Sequence, residues 1–209
     1  TPIGVTVKIL RRISRTGTRA LVFDICSLKS PLHDAIGDGL RKGLRIASVH
    51  PMFGPDTTAL SGRNILFCRT GRRDFSDEAR ALFEPTTARL VPVPLKRHDR
   101  IMGYVLGLSH MVSLVFGRAL ATSGLSAAEL RSFASATFTA QAKVSSLVSA
   151  ENRDLYFEIQ SENGATPAVL DGFRHALAEF ADAIASGDRV RFKALMESAK
   201  VFFTGVGTR

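Results

Sequence analysis

Tryptophan is missing from the 209 residues, tyrosine occurs twice, and aromatic side chains make up 8% of the chain. Binding nucleic acid by base stacking needs a supply of aromatic faces, so no nucleic-acid partner is expected. Cysteine is as scarce. Cys26 and Cys68 are too few for a disulfide framework, and neither belongs to a metal-spaced set. Cys26 neighbours Ser27, but a buried free thiol commonly behaves as a small hydrophobe. Acidic residues number 19 against 28 lysines and arginines, a formal net charge of +9. The basic residues are scattered (Arg11-Arg12, Arg69, Arg72-Arg73, Lys96-Arg97) rather than gathered in one run. Such charge reads as solvated surface with a residual field for small anions. No signal-peptide pattern opens the chain, which makes a reducing cytoplasm the expected setting. Also missing is a Gly-x-Gly-x-x-Gly turn: Gly37-Asp38-Gly39 falls late in an expected helix instead of after a strand.

What is present is a core supply, 45% hydrophobic residues, enough for one large or two small domains. The stretch with the most chemistry is Ser48-Val49-His50-Pro51-Met52-Phe53-Gly54-Pro55-Asp56. A β-rich run from Arg45 delivers His50, and Pro51 then restricts it to an extended conformation at the strand end. Gly54-Pro55-Asp56 reads as a turn. An imidazole held there suits proton transfer near neutral pH; the competing reading is a strand-ending surface histidine.

Going along the chain, Thr6 to Arg15 is expected as a helix, followed by a short buried strand Ala20-Leu21-Val22-Phe23-Asp24. Ser30-Pro31 starts a helix running to about Leu40. Strands follow into His50 and at Asn64 to Cys68, then a helix from Ser76 to about Phe83. The strand Arg89 to Val93 contains Pro92, which marks an edge or a strand end. Strands alternating with helices imply βαβ units in an open, mostly parallel sheet, with ligands at the carboxyl ends of the strands. Ser27 and His50 both fall at such ends.

After Pro94 the pattern changes. His98 to Ala121 reads as one long helix, apolar on most faces and close to membrane-spanning length. His110, Ser109 and Ser113 in its middle, with Arg100 and Arg118 near its ends, argue for burial in protein and against a membrane partner. A helix apolar all round needs cover on every side, and dimerisation is the simplest source. Ser126-Ala127-Ala128-Glu129 is a capping box. Thr166-Pro167 caps a helix bearing Val169, Leu170, Phe173, Leu177, Phe180 and Ile184. Ser186-Gly187-Asp188 ends it and caps a last helix with Phe192, Leu195, Met196, Ala199 and Phe203 inward. The expected organisation is α/β followed by all-α, with domains at 1–95 and 96–209.

Four ordered stretches carry a resemblance. His-Pro-Met-Phe-Gly-Pro-Asp at 50–56, Asp24-Ile25-Cys26-Ser27-Leu28-Lys29-Ser30, His98-Asp99 with Ser109-His110, and Leu155-Tyr156-Phe157-Glu158-Ile159-Gln160-Ser161-Glu162-Asn163 together resemble the prephenate and arogenate dehydrogenases of tyrosine biosynthesis. The similarity begins in the middle of that family's nucleotide-binding domain. It implies the C-terminal part of a Rossmann-like parallel-sheet domain followed by a helical dimerisation domain, NAD or NADP as cofactor, a small anionic substrate, and a homodimer. It implies that prephenate is oxidised and decarboxylated to 4-hydroxyphenylpyruvate, with His50 accepting the substrate's hydroxyl proton and Ser27 orienting that hydroxyl. Ser27 and Pro51 would flank the cofactor, with no pyrophosphate residue nameable. Lys29 would support the Ser27 loop or the nicotinamide side, or be a surface lysine; His110 would face the substrate or be a satisfied core histidine. His98 and Asp99 read as a helix-start pair with a structural duty. The family's carboxylate-binding arginine is replaced, in Thr137 to Lys143, by Lys143 or Gln141. That departure leaves room for arogenate or 4-amino-4-deoxyprephenate as substrate, and the absent glycine-rich turn for a non-catalytic dimeric binding module.

Overall fold

The computed structural model describes residues 2–54, 57–70 and 75–205. Pro55 and Asp56 of the expected turn lie outside them. The chain divides into two compact units, Thr1–Thr166 and Pro167–Arg209.

The first unit opens with α1 (Ile3–Ile13), three residues earlier than expected, the Pro2 carbonyl accepting from the Val5 and Thr6 N–H groups at 3.1 and 3.0 Å. Then come β1 (Val22–Asp24), a 3-10 turn Ser30–Leu32, α2 (His33–Arg41), β2 (Ile46–Pro51), β3 (Asn64–Arg69), α3 (Ser76–Ala81) and β4 (Arg89–Pro94). Strand order follows the chain, β1-β2-β3-β4. β1 with β2 and β3 with β4 are parallel, but β2 and β3 are antiparallel, with His50 opposite Leu66. The sheet is therefore mixed. No helix occurs between β2 and β3 among the described residues, and a parallel return needs such a crossover. Gly62, at φ +72° just before β3, supplies a left-handed turn. Pro92 sits in β4, which is an edge strand.

Side chains alternate across β2. Ile46 joins a core of Leu10, Leu32, Ala35, Ile36 and Leu44, with Leu95 packed against it. Ala47 and Val49 face the other way, into a core with Ile65, Phe67 and Ala79. His50 shares the parity of Ile46 and so points to the face that Leu95 covers, where the next helix starts.

That helix is not one continuous α-helix. α4 (Leu95–Met102) runs into a π-helical segment, Gly103–Leu108, before α5 (Ser109–Ala121). π turns leave a backbone carbonyl out of the regular ladder, and here the Gly107 carbonyl accepts from Gln160 Nε2 at 3.0 Å. α6 (Ala127–Ser132), α7 (Ala136–Ala150) and α8 (Arg153–Ser161) complete the unit. The serine half of the capping box forms, Ser126 Oγ accepting from the Glu129 N–H at 3.1 Å.

In the second unit, α9 (Thr166–Ala185) and α10 (Arg189–Thr204) meet through Phe180 and Phe192, whose ring centroids are 5.5 Å apart. Gly187 turns the chain at φ +68°, and Asp188 caps the Arg191 N–H at 2.9 Å. Three side chains expected inward on α10 are exposed instead: Met196 at 56%, Phe203 at 83%, and Ala199.

Candidate active site

β1 and β2 run parallel and end side by side, at Asp24 and Pro51. The loop after β1 is fixed from both ends. The Lys29 side chain is fully buried and its ammonium donates to Asp24 Oδ1 at 2.6 Å and to the Val49 carbonyl at 2.8 Å. Asp24 Oδ1 also accepts from the Cys26 N–H at 3.0 Å. Ser27 lies inside this closed loop, half-buried, and lines a cavity of about 620 Å³ together with Pro51, Phe53, Leu155 and Glu158.

His50, 3% exposed, is tied to α4. Its Nδ1 lies 2.9 Å from His98 Nε2, and His98 Nδ1 lies 2.6 Å from Asp99 Oδ1. The Asp99 carboxylate accepts from the Lys29 N–H at 2.9 and 3.1 Å and from the Ser30 N–H at 2.6 Å. Asn163, just past α8, donates to the Asp99 carbonyl at 2.9 Å. A relay His50–His98–Asp99 thus runs from the end of β2, through α4, to the loop that carries Ser27.

Electrostatics keep the relay's rings neutral. Burial, then the neighbouring His98 and Lys29, push the His50 imidazole down to about 2. Burial also lowers His98, the Asp99 hydrogen bond opposing it. Burial alone would raise Asp99, but hydrogen bonds from His98, Ser30 and Lys29 outweigh it and hold the carboxyl well below its usual range. Burial pushes the Cys68 thiol up to about 12 and raises Cys26 as well, so neither is a reactive thiolate at neutral pH.

The other residues singled out in the sequence lie elsewhere. His110, on α5, stacks on Tyr156 with ring centroids 4.3 Å apart and planes tilted by 22°. Its Nδ1 is enclosed without a hydrogen-bond partner, as is Gln160 Oε1, and burial lowers its pKa. Gln141 Nε2 reaches Ser145 Oγ at 3.4 Å. Lys143 is exposed and lines a separate apolar cavity of about 530 Å³ beside Phe138 and Gly117. Neither lines the Ser27 cavity. Sequence reasoning missed the relay role of His98 and Asp99, the Asp24 partner of Lys29, and Glu158 beside Ser27. The signal was faint but present: a His-Asp pair heading a helix whose first turn covers the face that carries His50.

The chain has relatives in sequence and in fold. Residues 94–198 match the family profile described as the prephenate dehydrogenase dimerization domain. The chain belongs to the prephenate dehydrogenase family. A protein of Methanocaldococcus jannaschii named "Probable arogenate/prephenate dehydrogenase" is 26% identical over 97% of this chain and 46% of its own length. The 4-amino-4-deoxyprephenate dehydrogenase of Streptomyces pristinaespiralis is 27% identical over 90% of this chain and 62% of its own length. The chain thus spans about half the length of the curated relatives it matches. Among solved structures, prephenate dehydrogenase from Aquifex aeolicus shares the fold with a TM-score of 0.77 at 17% identity, covering 99% of this chain and 75% of that one. The same enzyme, solved with hydroxyphenyl propionate and NAD+, gives 0.75. The mixed sheet followed by helices is accordingly the fold of prephenate dehydrogenases, with the dimerization-domain match starting at the end of β4.

Proposed function

We propose that these residues form the catalytic and dimer-forming part of a nicotinamide-dependent dehydrogenase that oxidises and decarboxylates prephenate, or a close analogue, in the cytoplasm. The observation that carries the reading is the neutral, buried His50, backed by His98 and Asp99, directly before Pro51, which lines the Ser27 cavity.

The cofactor fits this chain in part. The cavity of about 620 Å³ beside Ser27 has room for a nicotinamide ring and a one-ring substrate, whereas no glycine-rich turn for a pyrophosphate occurs in the 209 residues. A bound nicotinamide supplies the acceptor for the hydride leaving the hydroxyl-bearing ring carbon, NAD and NADP being equally compatible with the residues here. Ser27 holds and orients the substrate hydroxyl. His50 accepts its proton as the carbon is oxidised, and returns it to the phenolate oxygen once loss of carbon dioxide has made the ring aromatic. No proton is released overall, so His50 ends the cycle neutral, as it began it. Lys29, wholly engaged within the protein, acts by fixing the Ser27 loop and not by touching substrate. His110, on α5, is not among the residues lining the Ser27 cavity, and its unpaired Nδ1 meets a substrate only where that substrate extends beyond the cavity.

The carboxylate end is where the substrate choice opens. Arginine's planar fork suits a carboxylate better than an ammonium does, and the stretch where the family resemblance calls for arginine, Thr137 to Lys143, offers Lys143 or Gln141 instead. One curated relative is named for an amino analogue, and arogenate or 4-amino-4-deoxyprephenate is therefore the second reading. A second copy of the chain completes the helical part. The deciding experiment follows reduced cofactor formation at 340 nm. The enzyme form assayed carries these residues behind a glycine-rich nucleotide-binding half, and prephenate, arogenate and 4-amino-4-deoxyprephenate are offered in turn. Turnover of one or more is the expected result. Turnover of none, by a folded enzyme that binds NAD or NADP, overturns the reading and leaves a binding module.

A further inference from the structure

We propose that His98 and Asp99 are positioning residues that lock His50 in its Nδ1–H tautomer, leaving Nε2 as the nitrogen with the free lone pair. The catalytic meaning rests on the role of His50 given above; the tautomer does not.

The assignment follows from a chain of donors and acceptors. An ionised carboxylate can only accept. Asp99 accepts from the Lys29 and Ser30 N–H groups, so His98 Nδ1, 2.6 Å from Oδ1, must donate to it. A neutral imidazole carries one N–H. His98 Nε2 is therefore bare and can only accept, and its partner at 2.9 Å, His50 Nδ1, must donate. His50 then has no proton on Nε2. With both rings neutral, no other arrangement makes both contacts hydrogen bonds. The frame that enforces this is rigid: His98 is 0% exposed, and Asn163 and the two backbone N–H groups fix Asp99 from separate elements. The logic is that of the carboxylate in a Ser-His-Asp triad, which holds its histidine in the productive tautomer.

Asp99→Asn inverts the relay without changing its shape. The Ser30 N–H, at 2.6 Å, needs an oxygen at the Oδ2 position, so the amide oxygen takes it, and the Lys29 N–H, shared at 2.9 Å to Oδ1 and 3.1 Å to Oδ2, turns to that same oxygen. The amide nitrogen then faces His98 Nδ1 and donates to it. His98 becomes Nε2–H, donates to His50 Nδ1, and moves the His50 proton to Nε2, where it blocks the base.

The test is a long-range ¹H–¹⁵N correlation of the imidazole nitrogens in the ¹⁵N-labelled 209-residue chain at neutral pH. Wild-type protein is expected to show Nδ1–H patterns for both His50 and His98, and Asp99→Asn to show Nε2–H for both. An Nε2–H pattern for His50 in the wild type overturns the proposal whether or not the variant folds, and so does a folded Asp99→Asn variant with His50 unchanged. Turnover separates this proposal from the role of His50 itself. In an enzyme with a complete cofactor half, Asp99→Asn should lower kcat by ~10²-fold or more with KM little changed. Inverted tautomers with full turnover would support the positioning role and overturn His50 as the base.

Discussion

The sheet part and the helical part of the protein treat burial in opposite ways. Around β1, β2 and α4, charged and polar side chains are shut away inside one protomer: Lys29 and His98 are 0% exposed, Asp24 4% and Asp99 6%, each with hydrogen-bonded partners. In the helices it is apolar side chains that remain in the open. Phe133, Val190, Phe202 and Phe203 are 80% exposed or more, and of the most apolar stretch of Leu95–Ala121 only 11% is buried. Soluble monomers rarely leave large apolar patches uncovered. The hydrogen bonds of the relay are therefore closed within the protomer, while the helical scaffold waits for cover, in keeping with its match to a dimerization domain.

The comparison can be broken first in the sheet part. Lys29→Met strands the Asp24 carboxylate, one of whose oxygens already lacks a hydrogen-bond partner. Removing one member of a buried pair costs about 3–5 kcal/mol. Urea unfolding should show that loss at every protein concentration, and a loss below ~1 kcal/mol would mean that the pair does not hold the loop. In the helical part the effect should instead depend on concentration. Val115, 45% exposed on α5, should as aspartate abolish association while leaving the fold of the sheet part intact. Sedimentation equilibrium at micromolar concentration is the check. A wild-type chain that sediments as a well-folded monomer would remove the second copy from the account.

Acid gives a smaller, graded effect, centred on the His50–His98 pair, with His110 on α5 lowered in the same direction. His50 is held down to about 2 and His98 is lowered too, whereas the unfolded chain titrates near the ordinary 6.5. Below that value the unfolded state binds more protons, so stability is fully present above about pH 6.5 and falls as the pH drops. His50 contributes a slope approaching about 1.4 kcal/mol per pH unit below that value, and His98 adds to it in the same direction. Asp99, lowered from 3.8, adds to this only in stronger acid. Thermal melts from pH 7 to pH 5 should show a steep fall in wild type and a shallower one in His50→Asn; a flat profile in wild type would mean that the rings are charged in the fold. The smallest change expected is that of Lys143→Arg. A fork at this position should lower KM for prephenate several-fold if Lys143 meets the carboxylate, and leave KM unaltered if it only lines the apolar cavity.

What the sequence made legible divides along the same line. Local signals held: the Ser126 cap, the Gly187 stop with Asp188 as the next cap, Pro92 on an edge strand, and His50 at a strand end all depend on neighbours a few residues away. The antiparallel turn from β2 to β3 was readable from the missing crossover helix but was masked by the strand-helix alternation around it. The relay was not readable, because its hydrogen bonds join His50 to His98 and Lys29 to Asp99 across 48 and 70 residues. Only the packing of α4 on the Ile46 face of the sheet brings them together, and a His-Asp pair at a helix start looks the same with or without that packing.

The claim on which the rest depends is that His50 is the group that takes the substrate's hydroxyl proton. It is tested most directly by comparing wild type with His50→Asn in an enzyme form that carries a complete cofactor half, measuring kcat and KM with the preferred substrate. The account predicts a fall in kcat of ~10²–10⁴-fold with KM changed by no more than a few-fold. A kcat within a few-fold of wild type would contradict it.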